Sequence, residues 1–228
     1  MRTVDLAAEP LRELNAALHR LNAETNERRW RVLNPRGAHA VAAGIDAPVR
    51  VEIEGHVGYY CAGMNKAATV VINGNAGPGV AENMMSGHVH VTGDVSQAAG
   101  ASGCGGLLLV DGNAAARCGI SMKGIDIVVK GRVGHMSAFM AQAGNLVVLG
   151  DAGEALGDSI YEARLYVRGQ VSGLGADCIE KPLEERHKAE LRQLLDTAGV
   201  NGVDLGAFRR YGSARTLYHF HMDNVGSY

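Results

Sequence analysis

The segments Val51-Glu-Ile-Glu-Gly55, Val70-Val-Ile-Asn-Gly74, Val89-His-Val-Thr-Gly93 and Leu108-Leu-Val-Asp-Gly112 decide the fold of this chain. They continue as Ile127-Val-Val-Lys-Gly131, Leu146-Val-Val-Leu-Gly150 and Leu165-Tyr-Val-Arg-Gly169. The glycines Gly55, Gly74, Gly93, Gly112, Gly131, Gly150 and Gly169 are each 19 residues apart, with no insertion or deletion. At this glycine content, chance placement at seven fixed positions is on the order of one in a million. A period of this length signals a solenoid in which each repeat buries its apolar face against its neighbours.

Two phases before the glycine are aliphatic in every repeat. Four residues upstream stand Val51, Val70, Val89, Leu108, Ile127, Leu146 and Leu165; two upstream stand Ile53, Ile72, Val91, Val110, Val129, Val148 and Val167. Apolar residues at period two describe one buried face of a short strand. The residue after the glycine is polar throughout (His56, Asn75, Asp94, Asn113, Arg132, Asp151, Gln170) and is expected in solvent. The next is a second inward position: Val57, Ala76, Val95, Ala114, Val133, Ala152 and Val171. Seven residues past the glycine, Ala62, Ala81, Gly100, Gly119, Ala138, Gly157 and Ala176 mark a corner that admits no large side chain.

Repeats that never slip must stack directly, with strands paired in parallel at about 4.8 Å, so seven coils make a rod of roughly 35 Å. A left-handed hexapeptide helix would carry an aliphatic residue every six positions, and a calcium-binding nonapeptide type a recurring Asp; neither pattern is present. The expected fold is all-β: a right-handed parallel β-helix of seven 19-residue coils over residues 47–180, with helical N- and C-terminal extensions. Residues 1–46 form the N-terminal helix and cap, and residues 181–228 the C-terminal helix and aromatic tail.

Leu11, Leu14, Leu18 and Leu21 have the spacing of an amphipathic helix after Pro10, suited to cover the open end of the solenoid or to dock a partner. Leu183, His187, Leu191, Leu194 and Leu195 trace a second helix, entered near Pro182 and stopped by Gly199. Phe208, Tyr211, Tyr218, Phe220 and Tyr228 are five of the eleven aromatics, a concentration that suggests a tail anchored in grooves on this chain or a neighbour.

Composition supports a packed core: 46% of residues are hydrophobic, 31 are glycine and only 5% are aromatic. The net charge of −2, from 22 basic and 24 acidic residues, supplies no field for nucleic acid or an anionic membrane. Met1 to Ala23 holds no apolar signal core, and no apolar run nears about 18 residues, so a cytoplasmic chain with four free thiols is expected.

No constellation reads as a catalytic, cofactor or metal site. Cys61 and Cys118 share a phase but lie three coils apart, about 14 Å. Cys104 and Cys118 differ in phase, and Cys178 stands in the last coil. His88 and His90 project from one strand face but find no third ligand at the same phases of adjacent coils. His219 and His221 sit in the tail. The glycine runs Gly74 to Gly79 and Gly103 to Gly106 are corners, because a dinucleotide loop must open a helix. The informative phase is the outward one, three residues before the glycine: Glu52, Val71, His90, Leu109, Val128, Val147 and Tyr166. An apolar strip of this kind needs a cover, either a terminal segment or another subunit. Val71, His90, Leu109, Val128, Val147, Tyr166, Phe208, Tyr211, Tyr218 and Phe220 are therefore the candidate subunit interface.

The repeat resembles the GXGXG-type β-helix at the C-terminus of the glutamate synthase large subunit, also found as the β-helical subunit of formylmethanofuran dehydrogenase. Gly55-His-Val-Gly-Tyr-Tyr-Cys-Ala-Gly-Met64, Val80-Ala-Glu-Asn-Met-Met-Ser-Gly87, Gly134-His-Met-Ser-Ala-Phe-Met140 and Phe208-Arg-Arg-Tyr-Gly-Ser-Ala-Arg215 are similar to the free-standing β-helix chain of N-methylglutamate synthase. The resemblance implies a multi-subunit enzyme of the methylamine–glutamate N-methyltransferase type. Its partners would be a class II glutamine-amidotransferase-like chain and a glutamate-synthase-like barrel chain carrying FMN and an iron–sulfur cluster. This chain would serve as a non-catalytic scaffold that holds no cofactor. The alternatives are the β-helical member of a formylmethanofuran dehydrogenase or formyltransferase/hydrolase complex, and a stand-alone structural or binding β-helix.

Overall fold

A computed structural model describes residues 1–215. Eight strands succeed one another in a parallel ladder: β1 (Arg2–Asp5), β2 (Arg29–Leu33), β3 (Arg50–Glu54), β4 (Thr69–Asn73), β5 (His88–Val91), β6 (Leu107–Val110), β7 (Lys123–Val129) and β8 (Ala143–Val148). The ladder continues through β9 (Arg164–Val167). Two strands complete the sheet, β10 (Cys178–Lys181) and β11 (Arg209–Ser213), with β11 antiparallel between β9 and β10. From β3 to β9 the register follows the sequence period, Val51 on Val70, Val70 on Val89 and so on to Leu146 on Leu165, with one irregularity between Lys123 and Asp126 at the start of β7. The fold is the expected parallel β-solenoid. Eleven strands at about 4.8 Å span roughly 48 Å.

Opposite the sheet, Val57, Ala76, Val95, Ala114, Val133, Ala152 and Val171 join in an unbroken row of parallel bridges. Both aliphatic phases of the strands are fully buried between these two walls. The repeat glycine is needed for space. From Gly74 to Gly169 it takes ordinary backbone angles, but a Cβ on Gly74 would lie 2.7 Å from the backbone of Gly55, and one on Gly150 2.7 Å from that of Gly131.

The corner beyond is built differently. Tyr60, Ala62 and Met64 have φ of 56°, 53° and 55°, and the same left-handed phases recur at Ala98, Ala138 and Met140. Non-glycine residues rarely adopt this conformation. Backbone bonds between coils hold it, among them Tyr60 N–H to Pro78 O at 2.9 Å and Met64 N–H to Glu82 O at 2.8 Å.

The solenoid starts earlier than the repeat. β2 pairs in parallel with β3, Trp30 facing Val51 at a spacing of 21 residues, two more than the period. The segment expected to be only a cap therefore includes a further turn, which the two extra residues hide from a search at fixed period. Trp30 and Val32 fill its core. Helix α1 (Leu11–His19) closes that end, with Leu14 and Leu18 buried in the solenoid core. The Asn15 side chain donates to Ala40 O at 2.8 Å and accepts from Ala42 N–H at 3.0 Å.

Candidate subunit interface

The outer face of the sheet divides into two halves. Helix α2 (Glu185–Thr197) lies over the C-terminal half, and Leu191, Leu194 and Leu195 pack with Leu107, Leu109, Val128, Val147, Leu149 and Tyr166 in a second core. Ala198, Val200 and Phe208 complete it. Leu109, Val128, Val147 and Tyr166, expected at a subunit interface, are thus buried within the chain; the terminal segment supplies the cover. Phe208 joins the same cluster, and Tyr211 on β11 is buried in the inner core. Tyr218 and Phe220 lie outside the described residues.

The N-terminal half has no such cover among the described residues. Its outward positions are Arg29, Arg31, Arg50, Glu52, Glu54, Thr69, Val71, His88 and His90. Arg50 pairs with Glu52 at 2.6 Å and Arg31 with Glu54 at 2.9 Å. Val71, between Glu52 and His90 along the ladder, is buried at 8% exposure. At the boundary, His90 Nε2 lies 2.8 Å from Asp111 Oδ2, while Lys130 Nζ lies 2.7 Å from the other carboxylate oxygen. Burial works to raise the Asp111 pKa, but the hydrogen bonds from Lys130 and His90 outweigh it and hold the carboxyl below its usual range. Asp111 is not legible as a partner in the sequence because it sits two residues along the next coil, at a different phase from His90.

His88 stands 6.4 Å from His90, ring to ring, and its buried Nε2 has no hydrogen-bond partner among the described residues. Burial, with His90 and Arg50 nearby, lowers its pKa. The pair does not grow into a metal centre: among the described residues no three His, Cys, Asp or Glu side chains come together. Cys61, Cys118 and Cys178 are buried thiols and Cys104 is exposed. Burial pushes Cys118 up to about 12 and Cys178 up to about 11, and raises Cys61 as well. A protonated, buried thiol is a poor nucleophile and a poor ligand. No helix among the described residues is long and apolar enough to cross a membrane.

A second open surface lies at the left-handed corner, where sequence reasoning places nothing. Tyr59, Tyr60, Met64, Met85, Met140 and Tyr161 are each at least 41% exposed. Met64 and Met140 share one phase of the corner, and Met85 and Tyr161 share the phase two residues on. Tyr59 stacks on His39 with ring centroids 4.0 Å apart. Methionine is adaptable and suits a surface that moulds to a partner. The available signal is Met64 and Met140 at equal phase, a position otherwise held by Asn83, Ser102, Ser121, Ser159 and Cys178.

Beside the glycine corner the polar phase forms a ladder. Asp94 N–H donates to Asn75 Oδ1 at 3.0 Å, Asn113 N–H to Asp94 Oδ1 at 2.7 Å and Gln170 N–H to Asp151 Oδ1 at 2.8 Å. These side chains are occupied in stitching coils together.

No family model matches the chain. Over all 228 residues it is 62% identical to "Protein GlxC" of Rhizobium meliloti (strain 1021), and the match covers the whole of both chains.

Proposed function

This chain belongs to the same family as Protein GlxC, and from that premise we propose that it is a non-catalytic scaffold subunit of a glutamate-synthase-like complex of the N-methylglutamate synthase type. The reaction assigned to the whole complex is methylamine plus L-glutamate giving N-methyl-L-glutamate plus ammonia. The observation that carries the reading is that, among the described residues, one rod leaves two chemically unlike faces without a cover. One is the charged half-face around Arg50, Glu52 and His90; the other is the corner, where exposed Tyr60, Met64 and Met85 at one end and Met140 and Tyr161 four coils on are separated by polar positions. A rod of roughly 48 Å is long enough to engage two globular partners side by side.

In this reading one partner is the class II glutamine-amidotransferase-like chain and the other the barrel chain with FMN and the iron–sulfur cluster. The cysteines here do not suit that cluster, since Cys61, Cys118 and Cys178 are buried singly in the stack. Holding the two partners in fixed positions raises the effective concentration of an amine passing between them.

Co-expression of the three chains tests this. The expected result is a stable ternary complex that forms N-methylglutamate from methylamine and glutamate, and that falls apart without this chain. A chain that stays alone on size-exclusion chromatography beside both partners, or that performs the transfer unaided, overturns the proposal.

A further inference from the structure

The C-terminal end of the sheet gathers basic side chains; among the described residues Glu184 acts on Arg210, Glu190 on Arg164 and Asp177 on Arg215, which leaves Lys181 as the cation without a carboxylate partner. Lys181 and Arg210 are direct cross-strand partners in the antiparallel β10–β11 pair. Like charges in that position face each other with Cβ atoms about 5 Å apart and destabilise the pair. Among the described residues the Lys181 side chain has no ion pair or hydrogen bond, and Arg210 donates only from Nε, to Pro182 O at 2.9 Å. Tyr166, which faces Arg210 across the β9–β11 pair, has a buried hydroxyl with no partner among the described residues.

Lys181 and Arg210, though not Tyr166, border a cleft of about 530 Å³. Arg164 and Arg215 also line it, held by Glu190 and Asp177 respectively. Glu162 is the one carboxylate in the wall among the described residues, against four cations. A guanidinium and an ammonium presented by paired strands along one cleft match the oxygens of a carboxylate or phosphate.

We propose that this cleft binds the anionic group of a small molecule, a carboxylate or a phosphate, between Lys181 and Arg210. The same chemistry can be presented by an acidic side chain of a partner subunit. The site does not depend on the scaffold role, because its geometry lies within this chain.

The test uses the full chain with inorganic phosphate and L-glutamate as probes, followed by calorimetry and by thermal unfolding against chloride at matched ionic strength. At least one probe is expected to bind saturably and to raise the unfolding midpoint beyond chloride. Lys181→Gln should weaken binding at least tenfold. Lys181→Glu places a carboxylate opposite Arg210, so it should abolish binding while raising the midpoint of the free protein. If neither probe binds but Lys181→Glu weakens assembly with the partner chains at least tenfold, the anion is a partner's carboxylate and the site stands. Binding unchanged by both substitutions overturns the proposal. So does the combination of no binding and wild-type assembly of both variants.

Discussion

The two halves of the outer sheet face share one backbone, one register and one strand phase, yet they have opposite fates. On β6 to β9 the phase reads Leu109, Val128, Val147 and Tyr166, and α2 seals it. On β3 to β5 it reads Glu52, Val71 and His90, with Arg50 and Glu54 beside it, and no segment among the described residues covers it. A periodic scaffold thus separates shape from stickiness. Backbone geometry repeats, and side chains alone choose which length of the rod carries its own cover.

Substituting the apolar anchor of each half measures that difference. Leu191→Ala on the buried face of α2 should cost about 3 kcal/mol, the cavity-plus-transfer cost of a buried leucine, whereas Val71→Ala on the uncovered half should cost about 1 kcal/mol. Urea unfolding of both variants would show whether the contrast exists; equal losses would mean that α2 contributes no more than a surface contact.

The glycine corner provides the control, since it is common to both halves. Gly74→Ala and Gly150→Ala each force a methyl to 2.7 Å from the neighbouring backbone, and each should cost about 2 kcal/mol. A large difference between them would show that the coils are not mechanically equivalent.

A smaller effect lies at the boundary. The folded protein lowers the His88 pKa below its ordinary 6.5 through burial first, and then through His90 and Arg50. The unfolded chain therefore takes up the proton more readily. The associated stability is complete above the ordinary histidine value and is lost as pH falls through it toward the lowered folded value. His88→Gln should flatten this part of the stability profile, as read by denaturation at a series of pH values. The smallest effect is expected on the open half, where Arg50→Ala removes an exposed ion pair worth about 0.5 kcal/mol, and less at high salt.

Much of the solenoid is legible in the chain because stacking demands identical spacing. Both inward strand phases from Val51 to Val167 are aliphatic throughout, and the corner position that touches the coil below is always glycine. Helix α2 is legible as an amphipathic segment, but its destination is not. The upstream turn through Trp30 is hidden since its spacing departs from the period. The His90–Asp111–Lys130 chain is hidden because it crosses phases. The methionine corner goes unread because exposure at a turn depends on left-handed backbone angles that no residue type there announces.

What the sequence determined by itself is the coil: its length, its two inward strand phases and the corner where only glycine fits, all consequences of a local pattern repeated against itself. What only the tertiary structure decided is where the non-repeating segments go. Helix α2 and Phe208 on the apolar strip, α1 on the first turn and β11 between β9 and β10 are contacts between unlike, distant segments. Periodicity constrains a residue's neighbours one coil away. It says nothing about a segment that folds back across several coils, so the choice between a self-made cover and a partner's surface is made by packing.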